Sequence, residues 1–557
     1  MTSHPVFPLA DAFVAAHAAV RPLEATFAGV TGHDDRWGDL GPDGHTAEAD
    51  LLRHTRKELR SLPEPTDRWA RLAIRVLDEE LALRLDRHEH DEPLRDIAHL
   101  SATVPEMREA LEVQDITDAA GRAAVLARLE TYEEALAGWR ATVDLGRQRG
   151  LVVARRQVDA TVTQLRELAA DEGPLQRVAA TVVAADGTLT DLLGGALPRA
   201  REAASRTADW LEETYLPDAA AADGVGEERY LRLARGHLGT DLDPHDAYAW
   251  GWERIRHLTG RAEQVARDLG VGGDLQATVA AVRTDPALAA PSPEAFREAM
   301  HARQVSALEA LDGTHFDVPV PIRDVEVRLA SGGALGAYYV GPSEDFTRPG
   351  TIWWSLPSDG PVPLYEEIST AYHEGFPGHH LQVGIQVGLA DRLSRAHRLL
   401  IWNPGYGEGW ALYTEQLMDE LGLLEHPAYV LGYLASELLR AARVVIDIGL
   451  HLGLRLPDDA PLHAGQPWDF DRAVATLQQV AFLPADYARS EVTRYLGWPG
   501  QAISYAIGQR TIVELREERR RREGDGFDLK AFHADVLGSG PVGLDLLREL
   551  VLDREAG

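Results

Sequence analysis

The chain has 557 residues, 45% of them hydrophobic, and a formal net charge of −32 at pH 7. That length provides for a large core and by itself would suggest two or more domains, while the negative charge argues against nucleic acid and anionic membranes as partners. The chain has no cysteine, which excludes disulfides, cysteine nucleophiles and cysteine-ligated metals, so any transition-metal ion must be held by histidine and carboxylate.

The amino-terminal segment predicts a cytoplasmic protein. Residues 1–11 contain no basic stretch and no sustained apolar run before Asp11, so we expect no secretory signal. The sequence also contains no run of about 18 apolar residues, so no membrane span is expected.

Helical periodicity dominates residues 9–311, which are rich in alanine, leucine, arginine and glutamate. The segment 217–226 opens on a proline and contains small residues and glycines without an apolar stripe, which is typical of a connector. We therefore predict an amino-terminal helical lobe at residues 1–225 and a catalytic lobe at residues 226–557, interlocked as one structural unit.

Strand character is confined to a short interval. Residues 325–329 alternate polar and apolar side chains, and residues 337–340 and 351–356 are aromatic or β-branched, with glycines and prolines between them. These patterns predict a small sheet within about residues 315–357.

The segment after this sheet, residues 372–380, concentrates three imidazoles and one carboxylate. His373 and Glu374 begin a pattern typical of zinc hydrolases, in which histidines and a carboxylate hold the ion and a further glutamate activates its water. In the usual HExxH spacing the two histidines lie four residues apart on one helix face. Pro377 occupies that fourth position here, so the second ligand must come from farther along the chain.

The next histidines, His379 and His380, would lie about 9 to 10.5 Å along an unbroken helix from His373, too far for one tetrahedral ion. We expect a bulge or kink, because Pro377 lacks an N–H and the flanking glycines permit unusual dihedral angles. A bulge that absorbs two residues brings His379 back beside His373, so His379 is the favoured second ligand. His380 is the competing choice, since it lies nearer to the His373 face by angle.

A third ligand is predicted on the following helix. The Asn-Pro-Gly sequence at 403–405 signals a turn and a helix entry, which places Glu408 in the first turn ahead of an apolar stripe. The glycines on either side of Glu408 remove side chains that would crowd a metal. Glu415, two turns on, is the second choice, and the alternative interpretation is that Glu408 is only a favourable charge at a helix N-terminus.

Four segments carry a resemblance to a known family: HEGFPGHHLQ (373–382), GYGEGWALYTEQL (405–417), RVVIDIGLH (443–451) and RYLGWPGQAISYAIG (494–508). They resemble the successive hallmarks of the bacterial domain-of-unknown-function family 885, and such a family usually accounts for nearly the whole chain. More distantly, the chain is similar to helical zinc peptidases of the angiotensin-converting-enzyme, thimet-oligopeptidase and thermostable-carboxypeptidase type.

The resemblance implies a mainly α, two-lobed zincin-like (gluzincin-type) architecture with a small β-sheet next to the zinc helix and a deep central cleft. It implies one Zn²⁺ ion held by His373, by the histidine after Gly378 and by Glu408, with Glu374 as the general base. The two extra residues between the histidines depart from the family pattern of HExxH. In the helical zinc peptidases an edge strand of the sheet lies beside the cleft, where an extended substrate can pair with it.

The resemblance also implies a tyrosine on a late helix that stabilises the oxyanion formed when water attacks a carbonyl. Tyr505 and Tyr495 are the candidates, and Tyr505 shares a face with Gln501 on a helix that begins near Pro499. Arg494 could fork onto a substrate carboxylate. Arg494, Tyr495 and Gln501 are therefore predicted to bind substrate, while the alternative interpretation makes Tyr505 a half-buried packing residue.

Arg443, Asp447 and His451 recur at four-residue intervals in an otherwise apolar helix and form one polar stripe. Because ligand histidines usually donate their second ring N–H to a carboxylate, Asp447 is predicted to orient one of them, and His451 to contact substrate. If His379 is the ligand, His380 is assigned a supporting role beside it. For the stripe itself, an equally favoured alternative is that Arg443 and Asp447 form a buried ion pair that stabilises the helix.

These features predict a zinc-dependent metallopeptidase that hydrolyses peptide bonds with metal-activated water, Glu374 taking the proton and passing it to the leaving amine. Short peptides are the favoured substrates by family analogy. Two rivals stay open: a metal-dependent hydrolase of a non-peptide amide, and a catalytically silent helical binding protein. The sequence also leaves open the oligomeric state and the choice of zinc over manganese or cobalt.

Overall fold

The computed structural model of the chain describes residues 4–271, 273–330, 336–356 and 360–552. The protein is mainly helical with small sheets, which confirms the predicted mainly α class. Tertiary contacts divide the chain into two compact units. The first unit comprises Met1–Val225, Ser394–Leu400 and Leu496–Trp498, and the second unit comprises Gly226–Leu393, Ile401–Tyr495 and Pro499–Gly557.

The first unit is built from helices whose apolar residues repeat at helical spacing. In the helix at residues 132–148, Leu136, Trp139 and Val143 are buried in a large core, and another core gathers around Leu52 and Leu81. The helices are α1 (Val6–Val20), α2 (Pro22–Phe27), α3 (Pro42–Arg60), α4 (Arg68–Glu89), α5 (Thr103–Glu112), α6 (Ala119–Glu130), α7 (Tyr132–Gln148), α8 (Arg155–Ala169), α9 (Pro174–Ala185), α10 (Thr190–Trp210) with a π-helical turn at Leu211–Tyr215, and, later in the chain, α17 (Arg395–Leu399).

The second unit carries all the residues predicted to form the metal site. Its helices are α11 (Glu227–Leu238), α12 (Pro244–Leu269), α13 (Leu275–Thr284), α14 (Pro293–Leu311), α15 (Glu367–Glu374), α16 (His379–Gly388), α18 (Pro404–Glu420), α19 (Pro427–Leu452), α20 (Phe470–Val480), α21 (Ala485–Gly497), α22 (Ser504–Glu523), α23 (Leu529–Gly538) and α24 (Leu544–Leu552). Helix α19 is buried along most of its length, as expected of a helix that is apolar on nearly every face.

The strands of the larger sheet lie where the alternating and aromatic segments predict them, while a short two-stranded pair lies outside the predicted interval of residues 315–357. Strands β2 (Glu326–Ala330), β3 (Gly336–Val340) and β4 (Thr351–Ser355) form a sheet in the order β2-β4-β3, with β2 parallel and β3 antiparallel to β4, while β1 (Ala289–Ala290) pairs with β5 (Val362–Pro363). Trp354 is fully buried against Phe296 of α14, and Trp353 on the opposite face stacks with Tyr338. Residues 331–335 and 357 of the predicted sheet interval lie outside the described residues.

No described helix combines the length and the apolar composition that a bilayer crossing requires.

Candidate metal centre

The chain breaks its helix between the two predicted ligand histidines. Helix α15 ends at Glu374 and α16 begins at His379, so residues 375–378 form an irregular turn instead of continuing the helix. The N–H of Gly378 donates to the carbonyl of Tyr372 at 3.1 Å, and the N–H of His380 donates to the carbonyl of Gly375 at 3.2 Å. These bonds span six and five residues instead of four, so the extra residues are absorbed inside the break.

Two buried side chains from other helices hold the break in place. Gln304 of α14 donates from Nε2 to the carbonyl of Ala371 at 2.8 Å and accepts the N–H of Phe376 on Oε1 at 2.6 Å. Trp410 of α18 donates its indole N–H to the carbonyl of Pro377 at 3.0 Å. The N–H of Phe376 and the carbonyl of Pro377, which lie inside the break, are thus satisfied by side chains, and the carbonyl of Ala371 gains a second donor.

A glycine is required at position 378 because the chain folds back on itself there. A Cβ atom on Gly378 would lie 2.0 Å from the carbonyl oxygen of His373 and 2.4 Å from that of Tyr372. Any other residue would push the two helical segments apart, and the register of the histidines depends on that approach.

The glycines around Glu408 serve helix packing and not the clearance around a metal that the sequence suggested. A Cβ on Gly409 would lie 2.5 Å from the backbone of Gly508, so α18 and α22 touch backbone to backbone at this point. The space beside Gly407 is filled by the indole of Trp402, whose ring would lie 2.3 Å from such a Cβ. This close crossing brings the start of α18, and Glu408 with it, next to the start of α22.

The break and the crossing bring His373, His379 and Glu408 together. The Nε2 atoms of His373 and His379 each lie 3.4 Å from Oε2 of Glu408, and one ligand atom from each of the three residues lies within 4.8 Å of the others. Two ligands of a tetrahedral zinc ion with bonds of about 2.0–2.1 Å are separated by about 3.3–3.4 Å. Both histidines are buried, and the side chain of Glu408 is 15% exposed.

The other nitrogen of each histidine is held from behind. His373 Nδ1 lies 2.9 Å from Glu415 Oε1, and His379 Nδ1 lies 3.2 Å from Gln382 Oε1. Glu415 in turn accepts the hydroxyl of Ser369 on its other oxygen. Each imidazole can therefore donate Nδ1–H and keep the Nε2 lone pair free for a cation, the arrangement usual for metal-binding histidines. Glu415 was the second choice for the third ligand, but the structure places it behind His373.

The electrostatics of the cluster favour added positive charge. Burial opposes protonation of His373, yet the carboxylates of Glu408 and Glu415 raise its pKa to about 10. Burial likewise opposes ionisation of Glu408, but hydrogen bonding to the two histidines holds its pKa well below the usual range. A divalent cation would satisfy the same carboxylates without protonating either imidazole.

Glu374 and Tyr505 border this cluster. Burial raises the pKa of Glu374, although both histidines act in the opposite direction. The ring of Tyr505, in the first turn of α22, stacks on that of His373 with centroids 6.5 Å apart and planes 18° apart. Burial and then the charge of Glu408 raise the pKa of Tyr505 to about 12, so its hydroxyl is protonated at neutral pH. Both side chains are partly exposed.

His380 points toward the sheet and not toward the cluster. Its Nε2 lies 2.8 Å from the carbonyl of Ile322, and its Nδ1 lies 3.0 Å from the hydroxyl of Tyr339. Burial lowers the pKa of His380 to about 4. Both ring nitrogens are thus engaged away from the ligands, so this neutral histidine fastens the start of α16 to β3.

Asp447 and His451 also lie elsewhere than the sequence placed them. Asp447 Oδ2 accepts the hydroxyl of Tyr230 at 2.9 Å and the N–H of Gly500 at 3.0 Å. His451 Nε2 lies 3.1 Å from the carbonyl of Tyr495 and 3.4 Å from Asp447 Oδ1, and its side chain is fully buried. The structure therefore does not bring Asp447 to a ligand histidine, and it leaves His451 no exposed surface for substrate. Regular spacing identified one helix face but not the helix that covers it.

The predicted substrate-binding residues meet at a buried carboxylate that sequence reasoning missed, Glu491. Arg494 donates to Glu491 from Nε and Nη2 and to Gln501 Oε1 from Nη1 at 2.7 Å. The hydroxyl of Tyr495 donates to Glu491 Oε2 at 2.6 Å, and Arg443 reaches the same oxygen at 2.7 Å. Arg443 is thus paired with Glu491 and not with Asp447. Because Tyr495 is fully buried and Arg494 nearly so, these two side chains support the site instead of facing substrate.

The first unit contains another histidine and carboxylate group, formed by His17, Glu24 and Glu48. It does not fit a metal ion, because a guanidinium already occupies the position between the ligand atoms. Arg84 Nη1 lies 3.0 Å from His17 Nε2 and 2.9 Å from Glu24 Oε2. Arg21 adds a second positive charge 3.0 Å from Glu24. This group is a buried ion-pair network.

Gln304, Gln382 and Glu491 are the residues that sequence reasoning overlooked. Gln382 had a usable signal, because it follows His379 by three residues and therefore shares its helix face. Gln304 had none, since it reaches its partners from a distant helix, whereas Glu491 precedes Arg494 by three residues and Tyr495 by four on α21, a spacing that indicates contact.

Comparisons with known proteins agree with this fold. The sequence profile of the family described as bacterial protein of unknown function (DUF885) matches residues 22–551. The chain is similar to the crystal structure of a candidate lipoprotein from Colwellia psychrerythraea, with 21% identity, a TM-score of 0.84 and coverage of 99% of both chains. It is also similar to a candidate lipoprotein of unknown function from Shewanella oneidensis, with 18% identity, a TM-score of 0.75 and coverage of 98% of this chain and 99% of the other. No curated protein matches the chain.

Proposed function

The chain belongs to the DUF885 family, and from this premise we propose that it is a zinc-dependent hydrolase that cleaves amide bonds in short peptides. The cytoplasmic location and the two-lobed gluzincin-type architecture expected from the sequence remain part of this proposal. The location in particular is open to test, because both solved relatives are named as candidate lipoproteins.

One observation carries the proposal: two buried imidazoles direct Nε2 at the same carboxylate oxygen, each at 3.4 Å. A structural ion pair would require one protonated histidine for one carboxylate, and it would not require Glu415 and Gln382 behind the Nδ1 atoms. Three protein ligands of the histidine and carboxylate type are the set found in catalytic zinc sites, which keep a fourth position for water or substrate.

When bound, zinc supplies a water of lowered pKa and polarises the scissile carbonyl. We assign the proton of that water to Glu374, and this assignment is supported by its position directly after His373 at the border of the ligands and by its partial exposure. Glu374 can then return the proton to the leaving amine. A carboxylate in this position is not needed for ligation, which favours a hydrolase over a silent binding protein.

Tyr505 is our candidate for the residue that stabilises the oxyanion. Its ring lies against His373, and its raised pKa keeps the hydroxyl available as a donor at neutral pH. A positioned donor of this kind contributes most where charge develops on the substrate oxygen. Tyr495, the other candidate, donates to Glu491 and is fully buried, so it is the weaker choice.

The test is a peptide-library cleavage assay on the zinc-loaded full chain beside its Glu374→Gln variant. We expect the wild type to cleave short peptides, and the variant to bind one zinc ion while losing about 10²–10⁴-fold in rate, the contribution typical of a general base. Zinc retained without cleavage of any peptide would favour a non-peptide amide as substrate or a binding protein. Equal activity of the variant would remove Glu374 from the mechanism.

A further inference from the structure

An arginine beside the metal centre has no carboxylate partner among the residues that the structure describes. Within the described part of the chain Arg440 forms no ion pair within 4 Å, and its Nε is buried without a hydrogen-bond acceptor. Its Nη1 donates to the hydroxyl and carbonyl of Ser436, and Ser436 in turn contacts Glu415 at 3.4 Å. A partly buried guanidinium that lacks hydrogen-bond acceptors costs free energy of folding. A bound anion would supply the missing acceptors.

A second arginine lies one turn away on the same face of α19. Arg443 donates to Glu491 from Nε and Nη2, but its Nη1 makes no hydrogen bond to any described residue. The Arg443 guanidinium carbon lies 4.7 Å from the centre of the Tyr505 ring, and that ring also stacks on His373. Residues three apart on a helix have Cβ atoms about 5–6 Å apart, so the two arginine side chains start from neighbouring positions on one face.

The balance of charges around the site also favours an anionic group on the substrate. Glu491 is shared by Arg443 and Arg494, so one carboxylate serves two guanidinium groups. With a divalent cation bound, the positive charges of the site exceed the negative ones by one. The groups counted are the cation, Arg440, Arg443 and Arg494 against Glu374, Glu408, Glu415 and Glu491. One monoanion on the substrate would restore the balance.

We propose that Arg440 and Arg443 bind a carboxylate of the substrate next to the metal centre, so that the substrates are peptides with a free C-terminal carboxylate close to the scissile amide. This inference rests on the proposed function, because it names the substrate class of that site. Guanidinium groups suit the task, since they bind carboxylates through paired N–H donors at fixed geometry. Arg494, which the sequence assigned to a substrate carboxylate, instead holds Glu491 and is a positioning residue.

The test compares two probes, N-acetyl-trialanine with a free carboxylate and the same peptide with a C-terminal amide. Binding is measured by isothermal titration calorimetry to the zinc-loaded Glu374→Gln chain, which keeps turnover from obscuring affinity. We expect the free acid to bind at least about tenfold more tightly than the amide, as a charge-assisted pair predicts. Adding Arg440→Gln should abolish that preference without weakening amide binding, and Arg440→Lys should restore part of it.

Arg489→Gln is the matched control, because this exposed arginine lies on α21 outside the cluster and should leave the preference intact. The proposal would be overturned if the acid and the amide bound with equal affinity, or if neither bound, and this result requires no arginine variant. A preference that survives Arg440→Gln would also overturn it. The two proposals fail by different results. If the free acid binds more tightly than the amide but no peptide is cleaved, the hydrolase proposal fails and the carboxylate-binding site stands. If the wild type cleaves the acid and the amide equally, the carboxylate-binding site fails and the hydrolase proposal stands.

Discussion

Replacing Gln304 by leucine tests whether one distant side chain maintains the break that aligns the histidines. Leucine has a similar volume but can neither accept the N–H of Phe376 nor donate to the carbonyl of Ala371. The N–H of Phe376 would then be buried without a partner, which costs about 1–3 kcal/mol. The carbonyl of Ala371 keeps its bond from the N–H of Gly375, so losing its second donor adds about 0.5–1.5 kcal/mol. We expect a loss of about 2–4 kcal/mol in the free energy of unfolding.

Urea unfolding of the metal-free protein, followed by circular dichroism, measures this loss. The matched control is Gln264→Leu, because that glutamine is exposed on α12 and bonds only to side chains, and surface changes of this kind stay within about 0.5 kcal/mol. Zinc affinity of Gln304→Leu should fall as well, since the position of His379 depends on the break. The reasoning is refuted if Gln304→Leu and Gln264→Leu have the same midpoint and slope, with unchanged zinc affinity.

Three further predictions follow from other contacts. Glu415→Gln should weaken zinc binding by about 10–100-fold in a chelator competition, because Glu415 orients His373. Gly409→Ala should lower the free energy of unfolding, measured in urea, by more than about 2 kcal/mol, because its Cβ would lie 2.5 Å from the backbone of Gly508. The control Gly236→Ala faces open space within α11 and should raise the free energy of unfolding by about 0.5–1 kcal/mol. Burial and then Glu366 raise the pKa of Glu367 to about 8 from 4.5, so the folded state keeps a proton that the unfolded state releases. Stability should therefore fall by up to about 1.4 kcal/mol per pH unit between those values, and Glu367→Gln should remove that slope in urea titrations at several pH values.

The local features of the site were predictable from sequence because their causes are local. Asn403 caps α18 by accepting the N–H of Tyr406 at 3.0 Å, as the Asn-Pro-Gly turn predicts. The proline and the glycines between the histidines predict a broken helix, and α15 does end before Pro377. Strand segments were recognisable from their alternation, which depends only on neighbouring residues.

Partners that come from distant helices were not predictable. A carboxylate behind one of the ligand histidines was expected, but the spacing of α19 pointed to Asp447, whereas Glu415 of α18 lies behind His373. A periodic stripe shows that several side chains share a face, and it carries no information on which helix packs against that face. The contact of Glu491 with Arg443 of α19 was missed for the same reason, although the spacing of Glu491 and Arg494 on α21 was visible in the sequence. The identity of the ligand set, the general base and the substrate remain predictions.

Zinc titration of the metal-free protein tests the central claim most directly. We predict one equivalent bound per chain, with affinity reduced at least about 100-fold in each of His373→Gln, His379→Gln and Glu408→Gln. His301→Gln, at an exposed histidine of α14, should bind as the wild type does. Failure of the wild type to retain zinc, or unchanged affinity in the three ligand variants, would contradict the metal centre described for this protein.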